Sequence, residues 1–512
     1  MSHDHLVVNT TYGPVRGSAN PAVEVWKGIR FAAPPTGDLR WRRARRPQPH
    51  DDVVDARRFG PISPQERNPG ILLGKDVVMD EDCLFLNVWR PVGADDTSSL
   101  PVMVWLHGGA YVFGSGSQPL YDATELVSGG DVVVVTPNYR LGALGFADLT
   151  AFDLPGCETN PALSDVLMAL EWVRDNISGF GGDVDNITVF GESAGGGLIT
   201  TLLTMPSARG LFHKAIVQSS PATSMYDHAR ATRVAQRFLT AAGIRDTDAA
   251  LLQTLDVEHI VAATMQAFSD VPARNPGTIA FSPVIDGDLV PQHPLDVFRD
   301  GASLPVPLLI GTNKDEAALF KWMKPPLMPI TPDDIERMFA ALMVEYPDVA
   351  LPQRARVTSA YAGAEPEVLG LGVARDIAFR MPTVWSAEAH SRHSPVYLYR
   401  FDWATRMLRA LRIGATHATE LPYVWGNLVA GPADITFLFG GRKTGDAISE
   451  RMQRRWVAFA RDGDPTGEPA LDWPAYDETT RATLLIDATD RIVDDLDGDI
   501  RRAWGDDVLS FR

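Results

Sequence analysis

Cysteine is nearly absent from this chain of 512 residues, which carries two, at positions 83 and 157. Two cysteines cannot build a disulfide framework, and their spacing matches neither CxxC nor a metal-ligand pair, so a disulfide scaffold and a zinc-thiolate module are excluded. Long apolar runs are also missing. The longest are strand-sized, such as Val132 to Val135, and none approaches the ~18 residues of a membrane-spanning helix. Met1 to His5 is polar, without a basic segment followed by an apolar one, and does not look like a secretory signal. Basic charge is in the minority, with 47 Lys and Arg against 65 Asp and Glu and a net charge of −18. Such a balance repels polyanions, which speaks against nucleic acid or an anionic membrane as partner. The expectation is a soluble, cytoplasmic protein. Nothing in the sequence requires more than a monomer, and oligomeric state stays open.

What is present is ordinary globular composition, 45% apolar and 22% charged, which excludes a mainly disordered, collagenous or coiled-coil chain. There is no repeat at a solenoid or propeller period. Short apolar runs recur instead, at Cys83 to Val88, Val102 to Leu106, Asp131 to Thr136, Ile187 to Phe190, Ala215 to Gln218, Val306 to Ile310, Val396 to Tyr399 and Thr483 to Ile486. Runs that are apolar throughout, rather than alternating, predict strands covered on both faces. Leu163, Val166, Leu167, Leu170, Val173 and Ile177 recur at helical spacing before the glycine-rich turn at Gly179 to Gly182. Strands alternating with helices predict an α/β protein with a large, mostly parallel sheet. Residues 221–300 and 321–390 are rich in helix formers and poor in strand candidates. They are expected to be helical insertions forming a cap on a single unit spanning 1–512, since no Gly/Ser or Pro-rich linker separates them.

The chemistry is concentrated in two glycine-rich turns. In Asn186-Ile-Thr-Val-Phe-Gly-Glu-Ser-Ala-Gly-Gly-Gly197 an apolar strand runs into G-x-S-x-G and then a helix-like run. That setting places a serine, Ser193, on a sharp turn at a helix N-terminus, where developing negative charge is favoured. Leu106-His-Gly-Gly-Ala-Tyr111 follows another apolar run, and its small residues allow backbone N–H groups to face a reacting carbonyl oxygen. His107 is expected to support that loop rather than to catalyse. A serine hydroxyl needs a base, and the base an acid, in the chain order Ser, Asp or Glu, His. The acid is sought just past the strand ending at Ile310, where Asp315 and Glu316 both qualify. The remaining bases are His390, His393 and His417. The first two precede a strand, whereas His417 follows one, in a loop near Gly414, and is preferred.

These segments resemble the type-B carboxylesterases, the branch of the α/β-hydrolase fold that also contains the cholinesterases, and within it the bacterial para-nitrobenzyl esterase group. The resemblance covers nearly the whole chain. It is carried by Trp26-Lys-Gly-Ile-Arg-Phe-Ala-Ala-Pro-Pro35, Glu81-Asp-Cys-Leu-Phe-Leu-Asn-Val-Trp89, His107-Gly-Gly-Ala-Tyr111 and Asn138-Tyr-Arg-Leu141. It continues through Phe190-Gly-Glu-Ser-Ala-Gly-Gly196, Gly311-Thr-Asn-Lys-Asp-Glu316, His417-Ala-Thr-Glu-Leu-Pro-Tyr-Val-Trp-Gly-Asn427 and Phe459-Ala-Arg-Asp-Gly-Asp-Pro465. It implies the α/β-hydrolase fold with helices on both faces of the sheet, a serine ester hydrolase without cofactor or metal, and a small-molecule ester substrate. By matched position it implies Ser193 as nucleophile, His417 as base and Glu316 as acid. The N–H groups of Gly109, Ala110 and Ala194 are implied as the oxyanion hole, and Glu192 and Ser219 as supporting residues. Tyr111, Phe113, Phe320 and Trp322 are expected to line the substrate pocket by their closeness to these motifs, which favours bulky or aryl esters. A neutral His417 is required, so kcat/KM is expected to rise with pH near neutrality.

Departures from the family are informative. Secreted members pair the cysteine of the Glu-Asp-Cys-Leu motif with an upstream partner, but Ser63 stands about where that partner would be. Cys83 is therefore expected to be a free, buried thiol. The Ser63–Cys83 loop lacks the choline-stacking Trp, and Leu319 replaces an aromatic ring, so choline esters are poor candidates. The same acyl chemistry also serves a carbamate, lactone or activated amide, and the family contains non-catalytic adhesion members. Other features have simpler readings. The basic run Arg40-Trp-Arg-Arg-Ala-Arg-Arg46 is expected to be a solvated turn, and the acidic run Asp487 to Asp499 a solvated face. His417 and Glu420 lack a third metal ligand. Gly440-Gly-Arg-Lys-Thr-Gly445 fails the phosphate-loop pattern.

Overall fold

In the computed structural model the described residues are 3–275, 277–322, 328, 331–345, 354–361, 366–429, 434–467 and 471–505. The main sheet has eleven strands. In chain order they are β1 (Ser18–Ala19), β2 (Val23–Arg30), β3 (Phe85–Pro91), β4 (Leu100–Leu106), β5 (Val133–Pro137) and β6 (Gly182–Glu192). The remainder are β7 (Lys214–Gln218), β8 (Leu308–Asn313), β9 (Val396–Phe401), β10 (Thr483–Ile486) and β11 (Arg491–Val493). Across the sheet the order is β11-β10-β9-β8-β7-β6-β4-β5-β3-β2-β1. The stretch from β10 to β5 is parallel, with Val104 between Val135 and Val189, and Leu309 between Ile216 and Tyr397. Strands β3, β2, β1 and β11 close the two edges antiparallel. All eight strands expected from apolar runs are present. A small second sheet joins Val7–Thr10, Gly13–Arg16 and Val54–Asp55.

The continuous apolar runs follow from two cores, one on each face. Val102, Val104 and Leu106 of β4 enter one core, while Met103 and Trp105 enter the other. In the same way Ala215 and Val217 face one side of β7 and Ile216 the other. Successive strand side chains point to opposite faces, so a strand buried on both has no position for a polar residue. The helix Pro161–Asn176 begins on a proline at its first turn and buries Leu163, Val166, Leu170 and Val173. Between β7 and β8 lie the helices His228–Ala241, Val257–Arg274 and Pro294–Arg299. Between β8 and β9 lie Pro332–Glu345, Arg354–Ser359 and a long helical stretch from Pro366 to Ser391. Within 321–390, residues 323–327, 329–330, 346–353 and 362–365 fall outside the described residues. No helix among the described residues is long and apolar enough to cross a membrane.

Two charge runs differ from expectation. The basic run is a solvated turn only in part, at the exposed Arg45 and Arg46. Trp41 is buried with its indole donating to the Ala143 carbonyl, and Arg40 pairs with Glu81 while donating to the Leu252, Gln253 and Leu255 carbonyls. Arg43 reaches Asp286 and Asp288, Arg45 reaches Glu158, and Arg46 reaches Glu171. Within the acidic run, β11 forms an edge strand, Asp490 pairs with Arg451 and Arg455, and Asp497 with Arg380 and Arg400. Both runs therefore join segments distant in sequence. Local periodicity cannot reveal such partners.

Candidate active site

The C-terminal ends of β4, β6, β7 and β8 converge at one edge of the sheet, where open α/β sheets place their ligands. Leu106, Glu192, Gln218 and Asn313 are the last residues of these strands. Ser193 follows directly, at φ 56° and ψ −122°, between β6 and the helix Ala194–Leu202. Its amide donates to the Gln218 carbonyl at 2.9 Å. The turn is tight because helix and strands approach closely. A Cβ on Gly195 would run into the Leu106 carbonyl, and one on Gly196 would lie 2.9 Å from the Gln218 carbonyl oxygen. Ala110, Tyr111, Ser219 and Ala418 also adopt positive φ. Left-handed backbone at non-glycine residues is strained and persists where surrounding structure enforces it. Five such residues, counting Ser193, gather in the turns around these strand ends.

The loop after β4 lies against this turn. A Cβ on Gly108 would sit 2.7 Å from a Glu192 carboxylate oxygen and 3.1 Å from Ser193 Cβ. Gly109 has φ +121°, and its carbonyl accepts from the Val112 and Phe113 amides. The amides of Gly109, Ala110 and Ala194 donate to no acceptor among the described residues. His107 is buried beneath the loop, stacked on Tyr139 with ring centroids 4.3 Å apart, and burial holds its pKa down at about 4. It is a neutral supporting ring.

Beyond β8, the geometry separates the two acids. Asp315 turns away, accepting from the Ala415 amide at 3.1 Å. Glu316 is fully buried and its Oε2 lies 2.7 Å from His417 Nδ1, while Oε1 accepts from the Asn313 amide at 2.7 Å and Ser219 Oγ at 2.5 Å. His390 and His393 are elsewhere, both against Ser303 Oγ. The His417 Nε2 makes no hydrogen bond to Ser193 or any other described residue, and lies 3.1 Å from Glu192 Oε1. Free sites commonly leave such contacts open until substrate binds. Burial alone would lower the His417 pKa, but the Glu192 and Glu316 carboxylates raise it to about 9. Burial pushes the Glu192 carboxyl up to about 8, only partly opposed by His417. Glu420, three residues on from His417, turns to Gln218 and Asn313.

The Carboxylesterase family pattern matches residues 4–499. The chain belongs to the carboxylesterase family. It is 40% identical over 512 residues to the para-nitrobenzyl esterase of Bacillus subtilis, covering 97% of this chain and 98% of that protein. It is 32% identical to the phenmedipham hydrolase of Pseudarthrobacter oxydans, covering 94% of each. The solved structure of a thermophilic PNB esterase superposes with a TM-score of 0.85 at 36% identity, covering 98% of this chain and 100% of that one. The Geobacillus stearothermophilus carboxylesterase EST55 superposes with a TM-score of 0.84 at 36% identity, with coverage of 98% and 100%. The fold is the α/β-hydrolase fold, and this carboxylesterase is a carboxylic ester hydrolase.

Cys83 and Cys157 are both free thiols, and Cys83 is buried, lining one small cavity with Ser63. Of the residues expected near substrate, Phe320 is beside His417, with centroids 5.3 Å apart. Tyr111 packs on Phe146, and Phe113 on Phe268. The side chain of Trp322 lies outside the described residues. Sequence reasoning missed Phe379, whose ring stacks on His417 at 4.5 Å and 30°. It also missed Asn313, whose amide holds Glu316. Phe379 carries no motif and no spacing that would single it out.

Proposed function

We propose that this carboxylesterase cleaves esters by a serine mechanism with Ser193 as nucleophile, His417 as base and Glu316 as the acid that orients it. The carrying observation is that one His417 nitrogen is held by Glu316 at 2.7 Å, while the other makes no hydrogen bond and faces Glu192, the residue before Ser193, at 3.1 Å. As Ser193 Oγ bonds to the ester carbon, its proton passes to His417 Nε2 and the carbonyl electrons move onto oxygen. The N–H groups of Gly109, Ala110 and Ala194 would stabilise that oxyanion, which their unpaired donors suit. The carbonyl then reforms, the alkoxy C–O bond breaks, and the Nε2 proton goes to the leaving alcohol. Water repeats the sequence on the acyl-serine and releases the acid. Glu316 stays ionised, accepts the Nδ1–H and stabilises the imidazolium.

Bulky or aryl esters are the inferred substrates. Support comes from the Phe320 and Phe379 rings against His417 and from the name of the 40% identical relative, para-nitrobenzyl esterase. Residues 221–300 and 321–390 are read as a cap belonging to one unit, because Phe268 of the first packs on Phe113 and Phe379 of the second stacks on His417. Free Cys83 and Cys157 suit a reducing, cytoplasmic setting. Ser193→Ala and His417→Ala should each lower kcat more than ~10³-fold. Near-normal esterase activity in either variant removes the reading.

A further inference from the structure

The helical stretch from Pro366 to Ser391 is interrupted by one π-helical turn, Asp376–Arg380. Such a turn takes in one extra residue, rotating everything beyond it by about 100° relative to an unbroken α-helix. Phe379 lies in this turn, is almost fully buried, and places its ring on the His417 imidazole, with Phe320 against both. The turn is braced. The fully buried Asp376 carboxylate is gripped by both Arg375 Nε at 2.6 Å and Nη2 at 2.9 Å, and by the Tyr361 hydroxyl. Trp504 Nε1 donates to that hydroxyl at 3.1 Å. At the other end, Arg380 lies 3.8 Å from Asp497 and donates to the Leu496 carbonyl. The acidic C-terminal run and the helix Gly498–Trp504 thus buttress the turn that delivers Phe379.

We infer that Phe379 is a positioning residue for the catalytic base, its ring fixing the plane of His417 and favouring the imidazolium that forms when Ser193 gives up its proton. This rests on the serine mechanism proposed above. Glu316 fixes one nitrogen of the imidazole, which leaves rotation about that contact free. A stacked ring removes that freedom and excludes water from one face. The π cloud also attracts a positive ring placed over it. The charged groups facing His417 are Glu316 from the loop after β8, Glu192 from the end of β6, and Glu420 from its own loop. On the π turn, Asp376 and Arg380 are bound to Arg375, Tyr361 and Asp497, so the ring is what that element offers His417.

Phe379→Leu should lower kcat about ten-fold with KM changed less than about two-fold, because a loosened base costs the chemical step rather than binding. Phenylalanines of graded fluorination placed at position 379 keep the ring shape while draining its π density. They should move the acid limb of kcat/KM downward step by step, by about half a pH unit or more in total. A folded Phe379→Leu enzyme with unchanged kcat, or a pH limb indifferent to fluorination, overturns the inference. If Phe379→Leu does not fold, the fluorinated series decides alone. His417→Ala is run in parallel. Retained activity there defeats the serine mechanism itself, whereas loss of activity with an inert position 379 defeats only the role of Phe379.

Discussion

Replacing Glu192 by Gln keeps its shape beside the nucleophile and removes its charge. Glu192 Oε1 lies 3.1 Å from His417 Nε2, so at an effective dielectric of about 20 an ionised pair would attract by about 5 kcal/mol. Burial of both groups consumes much of that attraction, and Glu192 itself favours its proton at neutral pH. A remainder of about one to two pKa units, or about 1.4–2.7 kcal/mol, is expected. The carboxylate favours the charged imidazole, so its loss must lower the His417 pKa from about 9 toward the ordinary 6.5. Glu192→Gln should therefore shift the acid limb of kcat/KM to lower pH by about one to two units. Plateau kcat should fall about ten-fold, because the imidazolium of the transition state loses a counter-charge. The assay is a kcat/KM profile with a chromogenic aryl ester from pH 5 to 10, a range chosen to bracket about 9. An unmoved limb, or one displaced to higher pH, would refute the electrostatic reasoning.

Two further outcomes are expected. Ser219→Ala removes a 2.5 Å hydrogen bond to the Glu316 carboxylate. Hydrogen bonds to charged groups are worth about 1.5–3 kcal/mol, so kcat should fall about ten-fold or more in steady-state assays while KM stays nearly constant. Ser63→Cys places a second thiol in the small cavity that Ser63 and Cys83 share. After oxidative refolding it should close a loop of about 20 residues and raise stability by about 3 kcal/mol, read as a denaturation midpoint that reverts with reductant. Unchanged free-thiol counts after oxidation would show that the geometry at Ser63 is misjudged.

The parts legible in sequence were those in which local pattern and chemistry coincide. A strand buried on both faces must be apolar throughout, so the sheet could be read directly, and a serine between glycines after such a strand announced the turn at Ser193. Asp315 and Glu316 could not be separated by pattern, because both follow β8 and only the Ala415 amide and the His417 ring distinguish them. Family resemblance implied Glu316, the one of the two that contacts His417. The charge runs misled because Arg40, Arg43 and Asp497 find partners across long sequence separations. Three carboxylates from different segments, Glu192, Glu316 and Glu420, meet around His417 only in the folded chain, so their pull on its pKa cannot be read from pattern. Phe379 was hidden for another reason: its direction depends on a π turn, and helical periodicity assumes that no such turn exists.

The central claim is that Ser193 carries the acyl group. Treating the enzyme with an aryl phosphonate and mapping the modified peptide by mass spectrometry tests it most directly. The account predicts a single covalent adduct on Ser193, formed in step with loss of esterase activity and absent from Ser193→Ala. Complete inactivation with Ser193 unmodified, or an adduct on another residue that tracks the activity loss, would contradict it.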